Sequence, residues 1–197
     1  VAAGLGGGSS DAAAVLTGIA RLFDKLVPMQ DIMTLAQRIG SDVPFLVHGG
    51  LALATGRGEK LSFAEPPRPP LIVVIAFPKG LAVSTKWAYD NYVPGDNTRK
   101  EERFTQILSA FRHRELRKLR QLVFNDLESV TLQRHQEVAR IKETLQIEEA
   151  GLVIMSGSGP SVFGLFEEKK TALKAISRLD QQKVDVFLEH TSRTAAR

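Results

Sequence analysis

Cysteine is absent from the 197-residue sequence, which excludes disulfide bonds and thiolate metal sites and fits a reducing compartment. Long apolar runs are absent too, since none reaches the ~20 residues that a membrane-spanning helix needs. A chain with 43% hydrophobic residues and neither of these features is typical of a globular protein with a buried core. We therefore expect a soluble globular protein.

Positive charge is only slightly in excess, with 26 Lys and Arg against 22 Asp and Glu and a net charge of +4. This balance suits an anionic partner such as a nucleotide or a diphosphate without identifying one. Basic residues concentrate in Arg112–Arg120. Leu116, Leu119 and Leu122 recur there at helical spacing, which favours a solvated amphipathic helix over a nucleic-acid-binding face.

Glycine is concentrated near the start of the chain, in Gly4-Leu5-Gly6-Gly7-Gly8-Ser9-Ser10-Asp11. Residues without a Cβ allow tight turns and let several N–H groups approach one anion. A helix over Asp11–Leu26 is predicted to follow, capped by Ser9, Ser10 or Asp11, with the positive end of its dipole toward the same anion. The stretch therefore predicts a phosphate-binding site.

Three other interpretations of the glycine stretch are weaker. A flexible linker does not need the apolar helix face that follows, made of Val15, Leu16, Ile19, Leu22, Phe23 and Leu26. A Walker loop needs a Lys after the glycines, and none is present. A Rossmann fingerprint needs a third Gly where Ser9 stands. We expect the glycines to lie at the start of a buried helix.

A second stretch, Ser41-Asp42-Val43-Pro44-Phe45-Leu46-Val47, follows a helix that stops at Gly40. It predicts a short helix with Ser41 as its cap and Asp42 in its first turn. Such an acid usually complements the helix dipole, although a carboxylate near phosphate and hydroxyl could instead accept a proton. His48 stands without a second His or Cys at metal spacing, so we assign it no role.

A third stretch, Ser156-Gly157-Ser158-Gly159-Pro160-Ser161, joins two predicted strands, and it suits either a simple hairpin or a turn that presents N–H donors to a phosphate. Upstream, Asn125-Asp126-Leu127-Glu128 suits capping and turn chemistry.

The prolines of Pro66–Pro70 mark a domain boundary, which gives domains at 1–65 and 66–197. Four strands with intervening helices, one of them capped by Ser84-Thr85 and another over Thr131–Leu145, make the second domain α+β.

Three stretches, in this order, resemble motifs of the GHMP kinases, the superfamily of galactokinase, homoserine kinase and mevalonate kinase; they are Gly4–Ala13, Gly40–Phe45 and Met155–Gly164. Three shorter stretches are similar to the branch that phosphorylates the 2-hydroxyl of cytidine-diphosphate-linked methylerythritol in the non-mevalonate isoprenoid pathway; they are Leu53–Glu59, Val83–Tyr89 and Asn125–Glu128. The resemblance implies a two-domain fold with a ferredoxin-like C-terminal domain. It also implies transfer of the ATP γ-phosphoryl group to a small-molecule alcohol.

The resemblance implies a role for each matching residue. The ATP contacts would be Gly4, Leu5, Gly6, Gly7, Gly8, Ser9 and Ser10. Asp42 would be the catalytic acid that accepts or orients the hydroxyl proton, and Gly157, Ser158 and Gly159 would form a loop beside the active site. Mg²⁺ would accompany ATP as a labile ion without dedicated protein ligands. We expect a monomer or homodimer that binds neither nucleic acid nor membrane, and that is cytoplasmic if the source is bacterial or lies in a plastid if the source is a plant.

The family begins with a segment that carries a catalytic Lys and much of the cytidine pocket, and no part of this sequence matches it. We therefore expect that residues are missing before Val1, that the N-terminal domain is incomplete, and that the 197-residue chain alone turns over poorly or misfolds. Two other functions stay open: a GHMP kinase for another alcohol, such as homoserine, mevalonate or a sugar, and a nucleotide- or nucleic-acid-binding module without catalysis.

Overall fold

A computed structural model describes residues 3–23, 27–56, 58, 60–94 and 100–191. They form two compact units. The C-terminal unit contains residues 3–5 and 67–191, and the N-terminal unit contains the described part of residues 6–66. The boundary between the two units lies between Pro66 and Pro67, and the domains 1–65 and 66–197 stay a prediction.

The N-terminal unit contains three helices and a hairpin: α1 (Gly7–Leu22), α2 (Met29–Ile39), α3 (Val43–His48), β1 (Leu51–Thr55) and β2 (Lys60–Ala64). The hairpin strands are antiparallel, and Leu51 pairs with Ala64. The helices pack around a small cluster of buried side chains, Ala13, Ile32, Ala36, Val43 and Val47. Sequence patterns did not indicate β2.

The prediction that α1 is a buried helix is wrong. Among its described residues only Ala13 is buried, whereas most of the expected apolar face is exposed, namely Val15, Ile19, Leu22 and Phe23. The apolar periodicity is present, but burial also requires a packing partner. Leu26 of the expected face, and Arg57 and Glu59 of the next turn, lie outside the described residues.

The C-terminal unit is built on a four-stranded antiparallel sheet with the order β4-β5-β3-β6. Its elements are β3 (Ile72–Pro78), α4 (Thr85–Asn91), α5 (Lys100–Arg112), α6 (Leu116–Leu122), α7 (Glu128–Arg134), α8 (Gln136–Ile147), β4 (Leu152–Met155), β5 (Val162–Phe166), α9 (Lys169–Arg178) and β6 (Val184–His190). Helices connect β3 to β4 and β5 to β6, while β4 and β5 form a hairpin. This is the ferredoxin-like βαββαβ order, so the predicted α+β architecture is confirmed.

Alternate residues of β3, β4 and β5 pack into two separate hydrophobic clusters. Val74 and Met155 belong to the cluster that includes side chains of α8 and α9. Val73 and Ile154 belong to the cluster that includes side chains of α5 and α6. Because successive strand residues point to opposite faces, the sheet is covered by helices on both sides.

Three local expectations for the C-terminal unit can be compared with the structure. The N-cap at Ser84 is confirmed, since its hydroxyl oxygen accepts a hydrogen bond from the N–H of Trp87 at 3.3 Å. The single helix expected over Thr131–Leu145 is wrong. His135, at φ −119° and ψ 84°, separates α7 from α8. In α6 the buried residues are Leu116 and Leu119, as expected of an amphipathic helix.

Candidate active site

The predicted phosphate-binding stretch contains the N-terminus of a helix. Gly6 is the N-cap residue of α1 and lies in the left-handed region at φ 65°. The first intrahelical hydrogen bond runs from the N–H of Ser10 to the carbonyl oxygen of Gly6, at 2.8 Å. The N–H groups of Gly7, Gly8 and Ser9 therefore have no carbonyl partner one turn earlier in the helix.

No side chain of the described residues caps α1. Ser9, Ser10 and Asp11 lie inside the helix, so the prediction that one of them is its cap is wrong. Gly7 and Gly8 are exposed, and no atom lies within 4 Å of the position that a Cβ would take on either residue. Open backbone at an uncapped helix N-terminus is suited to binding an anion.

Asp42 occupies the N-cap position of α3 and not its first turn, so the expectation that Ser41 caps this helix is wrong. The side chain of Asp42 is exposed and makes no capping hydrogen bond. Helix α3 lies against the start of α1, since Leu46 Cδ1 is 3.8 Å from the position of a Cβ added to Gly6. The N-terminal unit thus brings α3 to the open end of α1, with the Asp42 carboxylate not used for capping.

The turn between β4 and β5, residues 156–161, is called the glycine turn below. Gly157 and Gly159 have φ values of 54° and 85°, a region that favours glycine. Gly4 packs against this turn, because a Cβ on Gly4 would lie 2.3 Å from the carbonyl oxygen of Ser156. The Ser156 hydroxyl donates to the carbonyl oxygen of Gly4 at 2.7 Å. The C-terminal unit therefore brings together Gly4 and the glycine turn, which are 152 positions apart.

Asn125 supports the glycine turn, a role that sequence reasoning missed. Its Nδ2 donates to the carbonyl oxygens of Met155 at 2.9 Å and Gly157 at 2.8 Å. Its Oδ1 accepts from the N–H of Leu127 at 3.0 Å, which is the turn contact that the sequence suggested. The other two hydrogen bonds join residues 30 and 32 positions apart, so only the folded chain reveals them.

A pocket of about 470 Å³ adjoins the glycine turn. Ser156 and Gly157 form part of its wall, and the aromatic residues that line it are Tyr89, Tyr92, Phe124 and Phe163. A larger groove, of about 1130 Å³, lies along α6 and shares no lining residue with the turn; its charged residues are Arg114, Glu115, Arg117, Lys118, Arg120, Glu149, Glu167 and Glu168. Because those charges balance, the groove has no strong preference for an anion.

Within the described part of the chain, no group of three or more His, Cys, Asp or Glu side chains could hold a metal ion. His48 stacks on Phe63, with ring centroids 3.6 Å apart, and its Nδ1 lies 3.1 Å from the carbonyl oxygen of Gly49. These contacts give His48 a packing role. None of the described helices is both long and apolar enough to span a bilayer.

Two family models match the chain: the N-terminal domain of GHMP kinases over residues 1–50, and the C-terminal region of GHMP kinases over residues 107–185. The 4-diphosphocytidyl-2-C-methyl-D-erythritol kinase of Acaryochloris marina is 38% identical over 201 residues, covering 96% of this chain and 64% of that protein. The enzyme of the same name from Bacillus licheniformis is 46% identical over 167 residues, covering 85% of this chain and 56% of that protein.

A crystal structure of 4-(cytidine 5'-diphospho)-2C-methyl-D-erythritol kinase is similar in fold, with a TM-score of 0.74 and 33% sequence identity. The match covers 95% of this chain and 66% of that one. The chain thus spans less than two thirds of the length of the curated relatives that it matches.

Proposed function

This chain belongs to the GHMP kinase family, and we propose on that basis that it is part of an ATP-dependent kinase for 4-diphosphocytidyl-2-C-methyl-D-erythritol. In the proposed reaction the 2-hydroxyl of the methylerythritol group accepts the γ-phosphoryl group of ATP. The observation that carries the proposal is the uncapped start of α1, where the amides of Gly7, Gly8 and Ser9 are open to an anion. The names of the relatives supply the acceptor.

Phosphoryl transfer depends mainly on positioning and on electrostatic stabilisation. We assign the ATP phosphates to Gly4, Leu5, Gly6, Gly7, Gly8, Ser9 and Ser10. Amides at the helix N-terminus would donate to phosphate oxygens, because the positive end of the helix dipole favours negative charge there. The exposed glycines leave room for that approach.

Asp42 is proposed as the group that accepts or orients the proton of the acceptor hydroxyl. Its carboxylate is exposed and makes no capping hydrogen bond, so both oxygens can take part. The lack of a capping bond weakens the alternative in which Asp42 only stabilises α3. A proton acceptor within hydrogen-bond reach of the hydroxyl is what general-base catalysis needs.

Gly157, Ser158 and Gly159 are proposed to form a loop beside the active site, in which the N–H groups of Gly157 and Ser158 meet a phosphate, while the N–H of Gly159 donates to the carbonyl oxygen of Ser156. The neighbouring pocket, with Tyr89, Tyr92 and Phe124, is proposed to hold the pyrimidine base of the substrate, since aromatic faces stack on nucleobases. When bound, Mg²⁺ would neutralise charge on the phosphate oxygens. Such an ion would be held partly by phosphate oxygens of ATP.

An ATP-consuming kinase depends on the nucleotide pool of the cell, and the proposal therefore includes a cytoplasmic location. The expectation of a monomer or homodimer stays a prediction that sedimentation would test.

The proposal is tested in the complete protein, including any residues that precede Val1, by coupling ADP formation to NADH oxidation with a panel of acceptors. We expect turnover with the cytidine diphosphate substrate and none with homoserine or mevalonate.

Asp42→Asn should lower kcat by about 10²- to 10⁴-fold, which is the factor that general acid–base catalysis usually contributes. The melting temperature should change little, because Asp42 is exposed. Asp31→Asn, at an exposed first-turn acid of α2, is the matched control. An unchanged kcat in Asp42→Asn would remove Asp42 from the reaction.

A further inference from the structure

At the end of strand β4, side chains form the backbone hydrogen bonds that a neighbouring strand would otherwise form. Strand β4 lies at the edge of its sheet, and its last residue, Met155, pairs with Val162 of β5. The next pair is closed by the N–H of Ser156, which donates to the carbonyl oxygen of Ser161 at 2.8 Å. Because hydrogen-bonded and non-hydrogen-bonded pairs alternate in an antiparallel ladder, the N–H and C=O of Met155 point away from β5.

Two side chains bind these outward groups. Met155 N–H donates to Glu128 Oε1 at 2.8 Å, and the carbonyl oxygen of Met155 accepts from Asn125 Nδ2. The same Nδ2 reaches the carbonyl oxygen of Gly157, so the anchoring extends into the glycine turn. Lys142 of α8 forms an ion pair with Glu128, and the two side chains are only 19% and 16% exposed.

The carbonyl groups of the glycine turn are held while two of its amides are not. Thr131 Oγ1 donates to the carbonyl oxygen of Ser158 at 3.2 Å, which adds to the bond from Asn125 to Gly157. Within the described part of the chain, the structure shows no hydrogen bond donated by the N–H groups of Gly157 or Ser158. Fixed carbonyls and free amides are what a turn needs in order to present donors to a phosphate.

We propose that Asn125 and Glu128 are positioning residues, which fix the glycine turn so that its amides meet a phosphate of the bound nucleotide. This inference rests on the proposed kinase function and deepens it. Asn125 also lines the pocket proposed for the base, but the positioning role of both residues is exerted through the backbone of Met155 and, for Asn125, of Gly157.

Substitutions at Asn125 and Glu128 distinguish a positioning role from an effect on overall stability. Asn125→Asp keeps the oxygen that accepts from Leu127 N–H but loses both donations to the turn. Glu128→Ala removes the acceptor for Met155 N–H, whereas Glu128→Gln retains an oxygen for Met155 N–H and loses the charge and the acceptor for Lys142 Nζ. Glu148→Gln is the control, since it breaks an ion pair with Lys174 in the same unit and makes no contact with the turn.

We expect Asn125→Asp and Glu128→Ala to raise the KM for ATP about tenfold or more, since a misaligned amide loses a charge-assisted hydrogen bond to phosphate. Glu128→Gln should restore the KM to within about threefold of wild type, and Glu148→Gln should leave it unchanged. Amide hydrogen exchange over residues 156–161, measured by mass spectrometry, should be faster in the two impaired variants than in Glu148→Gln.

The outcomes separate the two proposals. A wild-type protein that consumes no ATP with any acceptor contradicts the kinase function, while the exchange rates still test the anchoring. An active wild type combined with unchanged KM and unchanged exchange in Asn125→Asp overturns the positioning role. If Asn125→Asp folds poorly, the comparison of Glu128→Ala with Glu128→Gln makes the same test at the second anchor, and equal KM values for that pair would overturn the role.

Discussion

Gly4→Ala would place a methyl group inside the glycine turn. A Cβ on Gly4 would lie 2.3 Å from the carbonyl oxygen of Ser156, 2.9 Å from that of Gly159 and 3.1 Å from the nitrogen of Gly159. These are backbone atoms in a turn whose carbonyls are held by side chains, so they cannot rotate out of the way. Gly4 also has φ 73°, a conformation that costs a residue with a Cβ about 1–2 kcal/mol.

The expected loss of stability has two contributions. Forcing a methyl group into a close-packed site typically costs about 1–3 kcal/mol, which with the conformational cost gives about 2–5 kcal/mol. The segment could instead detach from the turn. It would then lose the hydrogen bond from Ser156 to Gly4 and the one from Ser161 N–H to the carbonyl oxygen of Ala3, worth about 1 kcal/mol each. Both routes predict a destabilisation of at least about 2 kcal/mol.

Urea unfolding followed by fluorescence measures this loss, because the single tryptophan, Trp87, lies half-buried in the C-terminal unit. Gly80→Ala is the matched control. Gly80 has φ 74° and no atom within 4 Å of the position of its added Cβ, so it carries the conformational cost alone. If Gly4→Ala destabilises the protein no more than Gly80→Ala does, the argument from close packing is wrong.

Two further predictions concern the C-terminal unit. The close contact with Lys174 lowers the pKa of Glu148 from its ordinary value, more strongly than burial raises it, and the charges of Lys174 and Arg178 act in the same direction. A carboxyl with a lowered pKa in the folded state stabilises the protein fully above its ordinary pKa and loses that contribution as the pH falls through the folded-state value. The urea midpoints of wild type and Glu148→Gln should therefore differ more at about pH 7 than at about pH 3, and an equal difference at both would contradict this. A fragment of residues 66–197 should fold alone, since both hydrophobic clusters of the sheet lie within it; its Trp87 fluorescence should show one cooperative urea transition, and a gradual change would count against the predicted domain.

Local chemistry made much of the C-terminal unit predictable. Ser84 was identified as a cap because a hydroxyl before a helix can accept a backbone N–H, and the structure has that bond. The four strands were recognised because short apolar runs between turn residues favour extended backbone. The glycine turn was identified for a similar reason, since its glycines suit conformations with positive φ.

Burial and long-range contacts were not predictable in this way. The apolar periodicity of α1 was read correctly, yet Val15 and Ile19 are exposed, because periodicity gives a helix a face and not a partner for that face. The anchoring of Met155 by Asn125 depends on residues 30 positions apart, and no pattern within either stretch encodes that distance.

Side-chain chemistry and backbone preferences that operate over a few residues were enough to predict the glycines that permit close approach and the strands of the C-terminal unit along the chain. They also make Asp42 a candidate proton acceptor. That Gly4 packs into the glycine turn and that α3 lies beside the start of α1 is visible only in the folded chain. Such contacts depend on how the whole chain closes around its hydrophobic clusters, which local preferences do not specify.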